Sequence, residues 1–123
     1  MELKRCPVEH AASLIGRRWS FELIRDMLHG KRHFNEFLKS NPELSSKMLA
    51  ERLKDLEDHG IITRKVIGSR PVSITYELTK KGMALKKVLY ELAVFAIREF
   101  PNDVCRRGAS EEKALEEAKE LFR

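Results

Sequence analysis

The sequence predicts a mainly α fold with one small β-hairpin, an α+β arrangement whose core comes chiefly from helices. Two observations carry this. Apolar residues recur at three- and four-residue steps along most of the chain, whereas the stretch 61–78 is rich in β-branched residues around a Gly-Ser-Arg-Pro turn. Size sets the scale: 123 residues suffice for a single modest core with an appended helix. At 42% hydrophobic and 35% charged, the composition is that of a folded domain rather than a disordered chain.

The elements follow in order. Pro7 suits the first turn of a helix, and Val8, Ala11, Ala12 and Ile15 form its apolar stripe, which ends at Gly16. Trp19, Leu23, Ile24, Met27 and Leu28 mark a second helix stopped by Gly30. A third, short helix spans about residues 33–39, with Phe34, Phe37 and Leu38 on one side. Asn41-Pro42 breaks it, because the residue before a proline avoids the helical region. Ser45 is the expected N-cap of a fourth helix, along which Leu49, Leu53 and Leu56 recur until His59-Gly60 closes it. Ile61–Ile67 and Val72–Leu78 then read as two strands joined at Gly68-Ser69-Arg70-Pro71. Thr79 is expected to cap a long helix over about residues 80–100, which Pro101 terminates. Ser110 is expected to cap a last amphipathic helix containing Ala114, Ala118 and Leu121.

The order of short helix, turn, helix and hairpin is that of a winged helix-turn-helix. This predicts a domain over residues 1–100, including a dimerisation helix at about 80–100, and a C-terminal helical extension over 101–123. In such a unit the second helix of the motif can lie in the major groove of double-stranded DNA. If Leu49, Leu53 and Leu56 face the core, then Ser46, Lys47, Ala50 and Lys54 face outward, with Arg52 expected at the edge of that face. The helix is also polar along its length. Ser45, Ser46 and Lys47 head it, while Asp55, Glu57 and Asp58 lie at its far end. A helix N-terminus favours phosphate through its dipole and free amides, so this places cations and hydroxyls toward DNA and acids away from it.

The hairpin adds Arg64, Lys65 and Arg70, with only Glu77 opposing them, and can set an arginine beside the minor groove. Arg17, Arg18, Lys31 and Arg32 sit at helix ends before the motif and are expected to supply phosphate contacts, which do not depend on sequence. The net charge of +5 agrees with a polyanionic partner but is the weaker argument. It is unevenly spread: Asp103–Arg123 holds 5 basic and 6 acidic residues, so the cationic excess lies before it. The alternative is a winged-helix protein-interaction module whose lysines and arginines form an ordinary solvated face. Steep salt dependence of binding separates the two.

Several segments resemble the HxlR family of regulators. They are Cys6-Pro7-Val8-Glu9, Leu14-Ile15-Gly16-Arg17-Arg18-Trp19, Phe34-Asn35-Glu36-Phe37, Leu44-Ser45-Ser46-Lys47-Met48-Leu49, Arg52-Leu53-Lys54-Asp55-Leu56, Gly60-Ile61-Ile62 and Tyr76-Glu77-Leu78-Thr79-Lys80-Lys81-Gly82. The likeness covers about residues 6–100. It implies a homodimeric, MarR-like winged-helix transcription regulator on palindromic DNA, with the reading helix at 45–59 and the wing at 61–78. The direction of control, repression or dual action, stays open.

Dimerisation also has support from the residues. Leu85, Val88, Leu89, Leu92, Ala93, Val94, Phe95, Ala96 and Ile97 make the long helix apolar almost all round, so it needs cover on more than one side. Leu85, Leu89, Leu92, Ala93 and Ala96 are the expected interface. Cover from the chain's own last helix, through Leu115, Leu121 and Phe122, is the competing expectation.

Cys6 follows Lys4 and Arg5 and precedes a helix N-terminus; both features favour the reactive thiolate. The resemblance implies sensing of oxidants or electrophiles at this position in several family members. A buried packing role is the bland alternative. Cys105 lies on the unmatched tail. With so few cysteines, so far apart, and no apolar leader, the chain is expected in the reducing cytoplasm. No stretch of about 18 apolar residues suggests a membrane span. Cys6/His10 and His29/His33 lack further ligands at zinc spacing, and no phosphate-binding loop or nucleophile elbow occurs. The expectation is no metal, no cofactor and no catalytic residue.

Overall fold

The computed structural model describes residues 2–122. Two compact units divide between Met83 and Ala84. The first contains α1 (Pro7–Ile15), α2 (Ser20–Leu28), α3 (Phe34–Ser40), α4 (Ser46–Asp58), β1 (Ile62–Ile67), β2 (Ser73–Leu78) and the single turn α5 (Lys80–Met83). The second contains α6 (Lys86–Glu99), α7 (Pro101–Val104) and α8 (Glu111–Phe122).

The core of the first unit is built where the periodicity placed it. Leu23, Ile24, Phe37 and Leu49 are fully buried, and Leu53, Leu56 and Ile62 nearly so. Each such side chain contributes roughly 1.5–3 kcal/mol by leaving water. The strands pair antiparallel with Ile62 opposite Leu78 and Ile67 opposite Ser73. Gly68 opens the turn at φ 77°, a left-handed conformation that glycine takes without strain.

Three local features differ from expectation. Trp19 lies outside α2, at its N-cap, with φ 77°. That backbone state is strained for a side-chain-bearing residue by about 1–3 kcal/mol, and the Arg18 guanidinium stacks on the indole at 4.8 Å. The long helix expected over 80–100 is interrupted at residues 84–85. Its first turn is tied back to the hairpin: Thr79 Oγ1 donates to Gly60 O at 2.6 Å and accepts from the Gly82 amide at 3.0 Å. Gly82 is buried, so close to Ile61 O that a Cβ there would overlap it. Finally, Pro101 ends one helix and starts another short turn, α7.

A hub of polar groups lies beneath the motif. Asp26, 1% exposed, accepts from Arg25 Nε (3.1 Å) and Nη2 (2.9 Å), Ser40 Oγ (3.0 Å) and Asn41 Nδ2 (2.9 Å). Asn41 Nδ2 also donates to Phe37 O at 2.9 Å. This network joins α2 to the turn between α3 and α4, and so sets where α4 begins.

In the second unit α8 packs on α6, and Leu89 of α6 and Ala118 of α8 are buried. The Ser110 cap forms, with the Lys113 amide donating to its Oγ at 3.2 Å. Val88, Leu92 and Phe95 remain exposed at 40%, 44% and 58%. They stand four and three residues apart, one continuous helical stripe. No helix among the described residues is long and apolar enough to cross a membrane.

Candidate nucleic-acid interface

The reading helix is built as its sequence requires. Ser45 has extended backbone and its Oγ accepts from the Met48 amide at 3.1 Å, satisfying one of the free donors at the helix start. With Leu49, Leu53 and Leu56 inward, Ser46, Lys47, Ala50 and Lys54 are all exposed. Lys47 has no ion pair among the described residues. Lys54 Nζ lies 3.1 Å from Asp58 Oδ1, and that hydrogen bond raises its pKa above the ordinary lysine value. Both groups are exposed, so the pair contributes little to stability.

Arg52 is a correction. It is 7% exposed, not at the edge of the outward face. Position 52 falls three after Leu49 and four before Leu56, inside their stripe. Its Nη1 donates to Asp55 Oδ2 at 2.8 Å and its Nη2 to Met48 Sδ at 2.9 Å. Arg17 also reaches Asp55 Oδ2, at 3.0 Å, so one carboxylate holds two guanidinium groups and ties the α1–α2 turn to α4.

Lys31 and Arg32 are likewise engaged within the fold. Lys31 Nζ donates to Ser40 Oγ at 3.0 Å, and Arg32 Nη1 to Glu77 Oε1 at 2.7 Å. Lys65 takes the other oxygen of Glu77 at 3.2 Å. The acid expected to oppose the wing's cations is thus paired with one of them, Lys65, and with Arg32 from the segment before α3. Arg64 on β1 and Arg70 at the hairpin tip are exposed and carry no ion pair among the described residues. The exposed set brought together on the α4 side of the motif is therefore Ser46, Lys47, Ala50, Lys54 and Arg64, with Arg70 on the turn beyond.

Just before α3, the Arg32 and His33 amides donate to Glu36 Oε1 at 3.1 and 3.0 Å. These bonds hold the Glu36 pKa below the ordinary glutamate value. Sequence reasoning missed Asp26, Asp55 and Tyr76. The available signal for Asp26 was its place three residues after Leu23 and next to Met27, on the buried stripe.

Of the other expected residues, Cys6 is exposed at the N-cap of α1 with a free thiol. In α1 only Ile15 of the expected apolar stripe is buried, whereas Val8, at 76%, and Ala11 and Ala12 are exposed. Of the residues expected at a dimer interface, Leu89 is buried in the single chain, Leu92 is exposed, and Leu85, Ala93 and Ala96 are half-buried. No group of His, Cys, Asp and Glu able to hold a metal occurs among the described residues.

Residues 14–103 match the HxlR-like helix-turn-helix family. The transcriptional regulator YodB of Bacillus subtilis is 44% identical over 92 residues, covering 74% of this chain and 82% of YodB. The structure of YodB in its reduced form superposes with a TM-score of 0.66 at 40% identity, covering 85% of this chain and 99% of that one. The redox regulator HypR in its oxidised form gives 0.71 at 33% identity, covering 76% and 96%. The chain belongs to the HxlR-like helix-turn-helix family and is a DNA-binding transcription regulator, not an enzyme.

Proposed function

We propose that the chain works as a homodimer that reads a palindromic operator with two copies of α4 and adjusts its affinity to the state of Cys6. The observation that carries the reading is the exposed N-terminal face of α4, where a capped helix start presents Ser46, Lys47 and Ala50 with no acid in the first turn. Two such helices related by a two-fold axis fit half-sites about 34 Å apart. Arg64 and Arg70 of each wing add backbone or minor-groove contacts.

The exposed stripe Val88, Leu92 and Phe95 supports the dimer, since a monomer would leave it in water. In this reading α6 is the dimerisation helix and the segment from Pro101 is an extension that braces it. The cellular place is the cytoplasm, where free thiols persist. Cys6 has the exposure and the basic neighbours Lys4 and Arg5 that a reactive thiol needs. The relative HypR is itself a redox regulator.

The test is a fluorescence-anisotropy titration of a duplex from upstream of the chain's own gene against a scrambled duplex, at several salt concentrations. Selective, salt-steep binding that Lys47→Ala weakens is the expected result. Unchanged affinity in that variant removes α4 from the groove. Oxidant should change the affinity of wild type and leave Cys6→Ser unaffected; a response that survives the substitution takes the sensor role from Cys6.

A further inference from the structure

Between α4 and the hairpin lies a polar cleft of about 400 Å³, lined by Ala50, Leu53, Lys54, Glu57, Arg64 and Tyr76. Arg64 and Tyr76 are direct partners in the strand register, so their side chains share one face of the hairpin. Tyr76 is held from behind. Its amide donates to Arg32 O at 2.8 Å, and its ring meets the buried Phe37 edge-on, 6.3 Å between centroids. Its hydroxyl has no hydrogen-bond partner among the described residues, and Arg64 has no ion pair. Tyr76, with its hydroxyl unengaged, and the unengaged Arg64 therefore line the same opening. Lys54 adds a third donor from the helix wall, while Glu57 and Asp58 bring opposing charge.

We propose that this cleft seats one phosphate of the DNA backbone, with Tyr76 Oη and Arg64 as its donors and Lys54 as a flanking cation. The proposal rests on the reading of α4 as the groove helix and adds a contact to it. A phosphodiester fits because its anionic oxygens accept from both a hydroxyl and a guanidinium. The two lysine and arginine charges are matched by the two acids, so net charge alone does not recruit the anion. The directional bond from a tyrosine already fixed by Phe37 does, since little rotamer freedom is lost on binding.

The two donors leave different signatures. A neutral hydroxyl releases no counterion, whereas a guanidinium that neutralises a phosphate does. Full-length protein is titrated against a mixed-sequence duplex of about three helical turns, since phosphate contacts are sequence-independent. Tyr76→Phe, which removes one oxygen and keeps the ring on Phe37, should weaken binding about tenfold at every salt concentration without changing the slope. Arg64→Ala should weaken binding and reduce the salt slope by about 0.9. Glu57→Gln should tighten binding by removing a like charge.

Affinity within about twofold of wild type in Tyr76→Phe, while Lys47→Ala binds weakly, overturns the cleft and leaves the groove helix standing. An unchanged slope in Arg64→Ala overturns the cleft whatever the tyrosine variant does, including a loss of fold seen as a lowered thermal midpoint. Wild-type protein that shows no salt-dependent binding removes both readings together.

Discussion

Replacing Asp26 with alanine should destabilise the first unit by about 3 kcal/mol. The magnitude follows from what the carboxylate holds. It is 1% exposed and accepts four hydrogen bonds, two from Arg25 and one each from Ser40 and Asn41. The Arg25 side chain is 36% exposed, so its guanidinium can turn to water and its share is small. Asn41 is 5% exposed and cannot; its Nδ2 keeps only the bond to Phe37 O, while its Oδ1 still accepts from Arg25 Nη2 at 3.1 Å. An unsatisfied buried donor costs about 1–3 kcal/mol, and the vacated space adds to that. For a domain of this size the thermal midpoint should fall by roughly 15 °C.

Asp26→Asn keeps the volume and one acceptor, so it should lose less, about 1–2 kcal/mol. Urea and thermal unfolding followed by circular dichroism measure the loss, at one protomer concentration because association shifts apparent stability. A cycle with Asn41→Ala separates the pair from the cavity: the second substitution should cost about 1 kcal/mol less once Asp26 is gone. A loss below about 1 kcal/mol in Asp26→Ala, or strict additivity in the cycle, refutes the hub.

Three further outcomes are expected. Gly82→Ala should cost about 2 kcal/mol or more, because its Cβ meets the Ile61 carbonyl and lies 2.9 Å from Leu78 Cδ2; an unchanged urea midpoint would mean that the backbone at Ile61, just before β1, yields freely. The folded-state pKa of Glu36 is depressed, so its contribution is present above the unfolded value and lost as pH falls through the folded one. Urea midpoints measured down through the acid range should therefore fall less steeply in Glu36→Gln than in wild type, and equal slopes would remove the Glu36 cap from the account. Leu92→Asp should place a charge on the exposed stripe of α6 and yield monomers by sedimentation equilibrium, with weakened operator binding; a persisting dimer would put the interface elsewhere.

The order and type of the elements were legible in the sequence because each rests on local chemistry. Period-3.6 apolar spacing builds α2 and α4, the Ser45 hydroxyl starts α4, and β-branched alternation around Gly68 builds the hairpin. The outward direction of Ser46, Lys47 and Ala50 follows from the same helical geometry once Leu49 and Leu53 face inward. Arg52 is the exception on this helix: its wheel position lies among the leucines and it is buried, although its charge alone points to the surface.

Only the tertiary structure decided which cations are free. Lys31, Arg32 and Arg17 are as basic in the sequence as Lys47, Arg64 and Arg70, yet they hold Ser40, Glu77 and Asp55. Arg17 and Asp55 are 38 residues apart, and Arg32 and Glu77 are 45 apart. Periodicity reports a residue's neighbours within one helix or strand and is blind to partners that distant. The same holds for Gly82 against Ile61 and for Asp26 under the α3–α4 turn: chain crossings create those contacts, and no local propensity encodes them.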